Sequence, residues 1–319
     1  MSFHLRKSVS HFSATYSEPL QVYTDLGQKE KGIELFQQAL SIVSKVGDRT
    51  TEGRCLTNLG ITYHDLGRIE QALDYYLLAL TIARDTNYRY GEAKRLGLVG
   101  TAYDTLGQWD KAIKYYQQAL SISREIGHRQ AEAEILSNLG LAYRNLGRAN
   151  DAIVYYKQAL AIDQEIDYRH GEEIALGNLG TAYYDLDLEE KAIDYYEQAL
   201  TIGKEIGHRQ NEGLWLGNLA LAYESLGQTE KALAYYEQAL DIARQIGDRE
   251  NEARHSWNLG LHYEETDPAR AVDLMSVFVT YQREIGHPDA EYSAERVAQI
   301  QKHIERFSKI GKTTNDKSE

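Results

Sequence analysis

The sequence predicts an all-α fold, a solenoid built from tandem helix–turn–helix repeats. Three observations predict it. The 319-residue chain repeats itself with a period of forty residues, small and apolar residues recur at helical spacing inside each period, and only three prolines interrupt the chain. Because no segment alternates apolar and polar residues over the length of a strand, no β-sheet is expected.

The repeat is clearest in five consecutive blocks that begin at residues 52, 92, 132, 172 and 212, of which "EAEILSNLGLAYRNLGRANDAIVYYKQAL" is one. One tyrosine keeps its place in every block and extends the series in both directions. These tyrosines are Tyr23, Tyr63, Tyr103, Tyr143, Tyr183, Tyr223 and Tyr263. The chain is therefore divided into seven repeat units over residues 17–287, with a truncated first unit and an atypical seventh.

Each unit is predicted to contain two helices. In the fourth unit, helix A runs from about Ala131 to Leu146 and ends at Gly147, a residue suited to a left-handed turn. Asp187 and Asp267 replace this glycine in two units, and aspartate tolerates the left-handed conformation less well. Helix B is expected to be longer, about 20 residues, because the period exceeds that of common helical repeats.

The two ends of the chain depart from the repeat. Residues 1–16 are expected to form a disordered arm, and Pro19 is expected in the first turn of a short helix that starts near Ser17. The seventh unit is one residue shorter around "TDPAR". Residues 288–310 have a helical pattern that predicts a capping helix, and residues 311–319 are expected to be a disordered tail.

Composition limits the possible partners and compartment. The formal net charge of −13 argues against a nucleic-acid partner, since phosphates would be repelled. No apolar run approaches the ~18 residues of a membrane-spanning helix, so no membrane partner is expected. A single cysteine, Cys55, cannot form an intramolecular disulfide and demands no oxidising compartment. A cytoplasmic location is expected.

Six residues of each central unit stand at the signature positions of a known repeat. In the fourth unit they are Leu139, Gly140, Tyr143, Ala152, Tyr156 and Ala159. With this pattern the chain resembles tetratricopeptide repeat proteins of the long, forty-residue type. It is similar to Pins-type adaptors, kinesin light chains and the repeat arrays of prokaryotic signalling proteins. The resemblance implies a right-handed superhelix whose concave groove is lined by the A helices and binds protein partners.

An asparagine recurs in the middle of helix A, although asparagine costs up to ~0.7 kcal/mol relative to alanine in a helix interior. It stands at Asn58, Asn138, Asn178, Asn218 and Asn258. A helical wheel places it opposite the face that holds Leu139 and Gly140, and the resemblance makes that opposite face the groove wall. An amide both donates and accepts hydrogen bonds, which suits it to the backbone of a bound peptide.

Other predicted groove residues define the expected partner. The cations are Arg54, Lys94, Arg144 and Arg254, and the apolar residues towards the C-terminal end are Tyr184, Leu221 and Trp257. A row of small residues, which includes Gly97, Gly177 and Gly217, is expected to let a ligand backbone approach. This groove matches a protein or peptide with a hydrophobic anchor and flanking charges.

Two alternatives to a peptide-reading groove remain open at this stage. The asparagines would also be explained if they bonded to one another or to the next repeat and so held the pitch of the superhelix. Leu98 interrupts their series in the third unit. At the level of function, the leading prediction is a non-enzymatic scaffold or adaptor. The alternative is a peptide-responsive sensor, or the repeat portion of a larger signalling ATPase, kinase or protease system.

Catalytic and cofactor chemistry is not predicted. Cys55 and His64 are the only candidates for a nucleophilic pair, and nothing else in the sequence supports one. His128, His170 and His208 lie in repeat turns and are expected to serve the turns rather than to bind zinc. No enzyme activity, metal or cofactor is expected.

Overall fold

A computed structural model describes residues 29–315, in which the chain forms fourteen helices and no strand. They are α1 (Lys29–Val46), α2 (Arg49–Asp65), α3 (Ile69–Asp85), α4 (Arg89–Thr105), α5 (Trp109–Glu125), α6 (Arg129–Asn145), α7 (Ala149–Glu165), α8 (Arg169–Tyr184), α9 (Glu189–Ile206), α10 (Arg209–Ser225), α11 (Thr229–Ile246), α12 (Arg249–Tyr263), α13 (Pro268–Glu284) and α14 (Ala290–Asn315). The predicted all-α solenoid of helical hairpins is confirmed. Over this range, no helix combines the length and the apolar character that crossing a bilayer requires.

Consecutive helices pack as hairpins, with the even-numbered helices from α2 to α12 as helix A and the helices that follow them as helix B. Helix α1 is the B helix of the first unit. The predicted A helix of that unit, with Pro19, and the predicted arm at 1–16 lie outside the described residues. The chain divides into two compact units, Met1–Gly171 and Glu172–Glu319, called the N-terminal and C-terminal units below.

The forty-residue period divides evenly between the two helices, so the prediction of a longer helix B is wrong. Helices α6 and α7 have 17 residues each. The reason lies in the turns: Gly127 is left-handed, with φ of +69°, and the next residue, His128, already caps α6. The Nδ1 of His128 accepts a hydrogen bond from the backbone N–H of Ala131 at 3.1 Å. Helix A therefore begins earlier than its pattern of apolar residues indicates.

The two aspartates that replace the left-handed glycine have different roles. Asp187 has φ of +54°, as predicted. Asp267 has φ of −146° and is instead the N-cap of α13, where its carboxylate accepts from the backbone N–H of Arg270 at 3.1 Å. The prediction of a left-handed Asp267 is wrong because this turn is one residue shorter and Pro268 follows as the first helical residue.

A glycine of helix A lies against a tyrosine of helix B in the core of most hairpins. A Cβ added to Gly140 would lie 2.5 Å from Cε1 of Tyr156, a side chain with no exposed surface. The equivalent pairs are Gly60 with Tyr76, Gly100 with Tyr116 and Gly180 with Tyr196. The glycine thus permits the helices of a hairpin to approach closely around a large ring.

A pair of stacked tyrosines joins the two helices of each central hairpin. The rings of Tyr143 and Tyr155 stack with their centroids 5.1 Å apart and their planes 10° from parallel. The guanidinium of Arg148 lies 4.8 Å from the centroid of the Tyr143 ring, a cation–π distance. Similar stacks join Tyr63 to Tyr75, Tyr103 to Tyr115, Tyr183 to Tyr195 and Tyr223 to Tyr235. Most of the 24 tyrosines are explained by these two kinds of contact.

The last helix packs on α13 and continues to Asn315, past residue 310, where the sequence predicted the start of a disordered tail. The helical backbone includes Gly311. A glycine inside a helix costs about 1 kcal/mol and does not by itself end the helix.

Candidate peptide-binding groove

Two clefts open between neighbouring A helices of the N-terminal unit. The first cleft, between α2 and α4, has a volume of about 800 Å³ and is lined by Thr50, Arg54, Thr57, Asn58, Thr86, Asn87, Tyr88, Tyr90, Gly91, Lys94 and Arg95. The second cleft, between α4 and α6, has a volume of about 340 Å³ and is lined by Tyr90, Ala93, Lys94, Gly97, Leu98, Thr101, Ala131, Glu134, Ile135 and Asn138. Five predicted groove residues, Arg54, Asn58, Lys94, Gly97 and Asn138, therefore line these clefts.

The recurring asparagines are all partly buried. Asn258 hydrogen-bonds to the hydroxyl of Tyr236. In the part of the chain that the structure describes, the side-chain amides of Asn58, Asn138, Asn178 and Asn218 make no hydrogen bond. Among the described residues, these four amides therefore form no hydrogen bond that links successive repeats.

A different row of side chains joins successive A helices. In the N-terminal unit, the Nε2 of His64 lies 3.2 Å from Oγ1 of Thr105, and the amide of Asn145 donates to Asp104 at 3.3 Å. In the C-terminal unit, the hydroxyls of Tyr184 and Ser225 are 2.9 Å apart, and His262 lies 3.2 Å from Glu224. Two predicted groove residues belong to this row: Tyr184 by its contact, and Arg144 by its equivalent position in α6.

The row of small residues is only partly open to the groove. A Cβ added to Gly177 would overlap the indole of Trp215, and one added to Gly217 would lie 2.5 Å from Cε1 of His255. Both glycines are buried, so the prediction that they admit a ligand backbone is wrong. Gly97 has open space above it and lines the second cleft.

Exposed apolar side chains lie on the A helices of the C-terminal unit. Leu221 of α10 and Leu261 of α12 are each 39% exposed. Trp257 is partly buried, and its ring lies 4.8 Å from that of Phe278 in the same hairpin. Arg254 is exposed and its guanidinium contacts the amide oxygen of Asn251. Of the predicted apolar residues, Leu221 is the one whose side chain is most available to a partner.

The turn histidines have partners within the fold. His128 caps α6, as described above. In the C-terminal unit, the Nδ1 of His208 lies 2.9 Å from Oε2 of Glu173, a fully buried carboxylate. The other oxygen of Glu173 accepts from the indole N–H of Trp215 at 3.0 Å.

Arg95 is a further residue of the first cleft, and the sequence did not predict it as a groove residue. Only 6% of it is exposed, its Nη1 donates to the carbonyl of Gly91 at 2.9 Å, and its Nε has no hydrogen-bond partner among the described residues. Burial lowers the pKa of its guanidinium. The equivalent residues in the other units are uncharged or neutral at pH 7: Cys55, Ile135, Ala175, Trp215 and His255. The sequence distinguishes Arg95 only by placing an arginine at a repeat position that is otherwise occupied by residues without a charge at pH 7.

The candidate nucleophilic pair is not formed. Cys55 is buried and packs with Ala39 and Val43, and burial raises the pKa of its thiol to about 11. His64 is directed to Thr105. A thiol with this pKa is protonated at neutral pH and is a poor nucleophile.

Together, the stacked hairpins, the glycine–tyrosine cores and the A helices that present clefts define a helical-repeat protein. The family model for the tetratricopeptide repeat matches residues 21–85, 92–165, 131–205 and 211–276, which is well over half of the chain. The chain belongs to the tetratricopeptide repeat family, as its signature residues predicted. No curated protein matches it in sequence.

Several solved structures share the fold. The apo form of RapI superposes with a TM-score of 0.68 at 15% identity, covering 86% of this chain and 98% of RapI. Aspartyl phosphate phosphatase F from Bacillus subtilis gives a TM-score of 0.65 at 19% identity, covering 89% and 68% of the two chains. A signal transduction ATPase with a tetratricopeptide repeat sensor from Pyrococcus horikoshii gives 0.62 at 20% identity, covering 94% of this chain and 42% of the ATPase.

Proposed function

We propose that this protein is a non-enzymatic scaffold or adaptor whose A helices bind an extended or helical peptide segment of a protein partner. The observation that supports the proposal is the row of amides at Asn58, Asn138, Asn178 and Asn218, which make no hydrogen bond among residues 29–315. Each asparagine of this row lowers the helix propensity slightly, and none of these four amides stabilises the described part of the fold through a hydrogen bond. Hydrogen bonds to a ligand backbone would account for it.

The side chains around the amides define the expected ligand. Leu221 and Leu261 would receive an apolar anchor, since burying a leucine contributes roughly 1.5–3 kcal/mol. Arg54 and Lys94, at the rim of the first cleft, would attract negative charge. The proposed partner is therefore a peptide segment with a hydrophobic anchor and acidic flanking residues.

A selection from a random peptide library against the full chain tests the proposal. The selected peptides are expected to share an apolar residue and a group of acidic residues. Leu221→Ser with Leu261→Ser is expected to weaken their binding at least tenfold, because the anchor loses its apolar contact. The matched control is Leu78→Ser with Val154→Ser, which alters two more exposed residues on B helices, 55% and 56% exposed. Absence of a shared motif, or an equal loss in the control, would contradict the proposal.

A second candidate function is a regulatory sensor in which the bound peptide changes the compactness of the repeat array. The similarity to a signal transduction ATPase whose tetratricopeptide repeats form a sensor is what suggests it. Small-angle X-ray scattering distinguishes the two candidates. A sensor is expected to change its radius of gyration when a selected peptide saturates it. An unchanged radius of gyration would contradict the sensor and would be consistent with the scaffold.

A further inference from the structure

The first cleft holds an excess of positive charge in a protein whose formal net charge is −13. Three cations line it, Arg54, Lys94 and Arg95, and no aspartate or glutamate does. Within residues 29–315, none of the three forms an ion pair. Elsewhere in the N-terminal unit, arginines are commonly paired; Arg89, for example, contacts both Glu92 and Glu125. The unpaired cations of the first cleft are therefore an exception.

Arg95 is the one buried residue among these three cations, since Arg54 and Lys94 are exposed. A charged group that is 94% buried, by its 6% exposure, requires a partner, because taking an unpaired charge out of water costs several kcal/mol. Over residues 29–315, its guanidinium makes one hydrogen bond, to the carbonyl of Gly91, and its Nε has no hydrogen-bond partner. No carboxylate contributes to the pKa of this group, which burial lowers and only Tyr88 opposes. Arg95 is thus a buried cation whose charge no carboxylate of the described residues balances.

The first and second clefts are continuous with each other. Tyr90 and Lys94 line both the first and the second cleft, so a chain in the first cleft can continue into the second. Asn58 and Asn138 offer free amides along the same path. A carboxylate on a side chain fits this arrangement, whereas a chain that ended at Arg95 would leave the second cleft unused.

We propose that the first cleft is a carboxylate site, in which Arg95 receives a glutamate or aspartate side chain of a bound peptide while Arg54 and Lys94 hold the neighbouring acid residues. This inference rests on the proposed peptide-binding function and deepens it. The site would fix the register of the peptide, since a planar guanidinium binds a carboxylate in a defined orientation.

Fluorescence anisotropy with a labelled hexaglutamate peptide tests the site on the full chain, with hexaglutamine as the neutral counterpart. Arg95→Met keeps the apolar stem and removes the buried charge, so the variant is expected to melt at or above the wild-type temperature. It is expected to weaken hexaglutamate binding about tenfold or more, as the loss of charge-assisted hydrogen bonds predicts. Lys114→Met, an exposed lysine of α5 outside both clefts, is the control and is expected to change binding less than about twofold.

The inference would be overturned by hexaglutamate binding that Arg95→Met leaves unchanged, or by a loss that Lys114→Met reproduces. Inorganic phosphate added as a competitor distinguishes a free anion from a peptide. If millimolar phosphate binds in the cleft as well as hexaglutamate does, the carboxylate site is contradicted. Failure of this site is distinguishable from failure of the proposed function. If library-selected peptides bind Arg95→Met as tightly as the wild type, the proposed groove stands and only the carboxylate site is contradicted.

Discussion

Between pH 6.5 and pH 4, the C-terminal unit is expected to lose about 3 kcal/mol of its free energy of unfolding through one residue, His255. Its imidazole is 2% exposed beneath Gly217, and neither ring nitrogen has a hydrogen-bond partner among the residues that the structure describes. Burial, assisted by the charge of Arg254, lowers its pKa from 6.5 to about 4, although Asp248 opposes the shift. A difference of this size corresponds to about 3 kcal/mol.

The sign of the effect follows from which state binds the proton. Above pH 6.5 the imidazole is neutral in both states, and the full stability is present. As the pH falls below 6.5, His255 becomes protonated in the unfolded chain but stays neutral in the folded chain. The unfolded state is thereby stabilised, and the free energy of unfolding decreases. Below pH 4 both states are protonated at this residue, and no further loss arises from it.

Urea unfolding followed by circular dichroism, repeated across this pH range, measures the effect. His255→Leu is the matched variant, because leucine fills the same buried position without a titratable group. Carboxylates titrate in both proteins, so the informative quantity is the difference between variant and wild type. That difference is expected to move in favour of His255→Leu by about 3 kcal/mol on acidification. Parallel curves for the two proteins would show that His255 is not the group responsible.

The features of the fold that the sequence predicted are those that depend on short-range periodicity. A glycine and a tyrosine sixteen positions apart, such as Gly140 and Tyr156, recur with the helical pattern and identify the hairpin core. The left-handed glycines mark the ends of helices in the same way. Helix starts were harder to predict, because His128 as an N-cap looks like an ordinary turn residue and Asp267 stands at a position aligned with Gly227.

The candidate site was predicted less completely, because its character depends on contacts between units of the repeat. Gly177 and Gly217 look like an open row in the sequence, yet Trp215 and His255 of the following repeats cover them. The burial of Arg95 likewise depends on how α2 and α4 pack, and the sequence gives only its unusual charge. The asparagines were identified from their helical cost, but the absence of partners for four of them is visible only in three dimensions.

The function proposed for the asparagines is to bind a ligand rather than to hold the solenoid together. The most direct test is a triple variant, Asn138→Ala, Asn178→Ala and Asn218→Ala, titrated with a library-selected peptide while its thermal melting is followed. Each substitution removes an amide that has no partner in the described chain and gains up to ~0.7 kcal/mol of helix propensity. Asn150→Ala, at an exposed position of α7, is the matched control.

The triple variant is expected to melt at or above the wild-type temperature and to bind the peptide at least tenfold more weakly, since each lost hydrogen bond contributes roughly 0.5–1.5 kcal/mol. The control is expected to bind normally. A triple variant that melts well below the wild type, or that binds the peptide with unchanged affinity, would contradict the account.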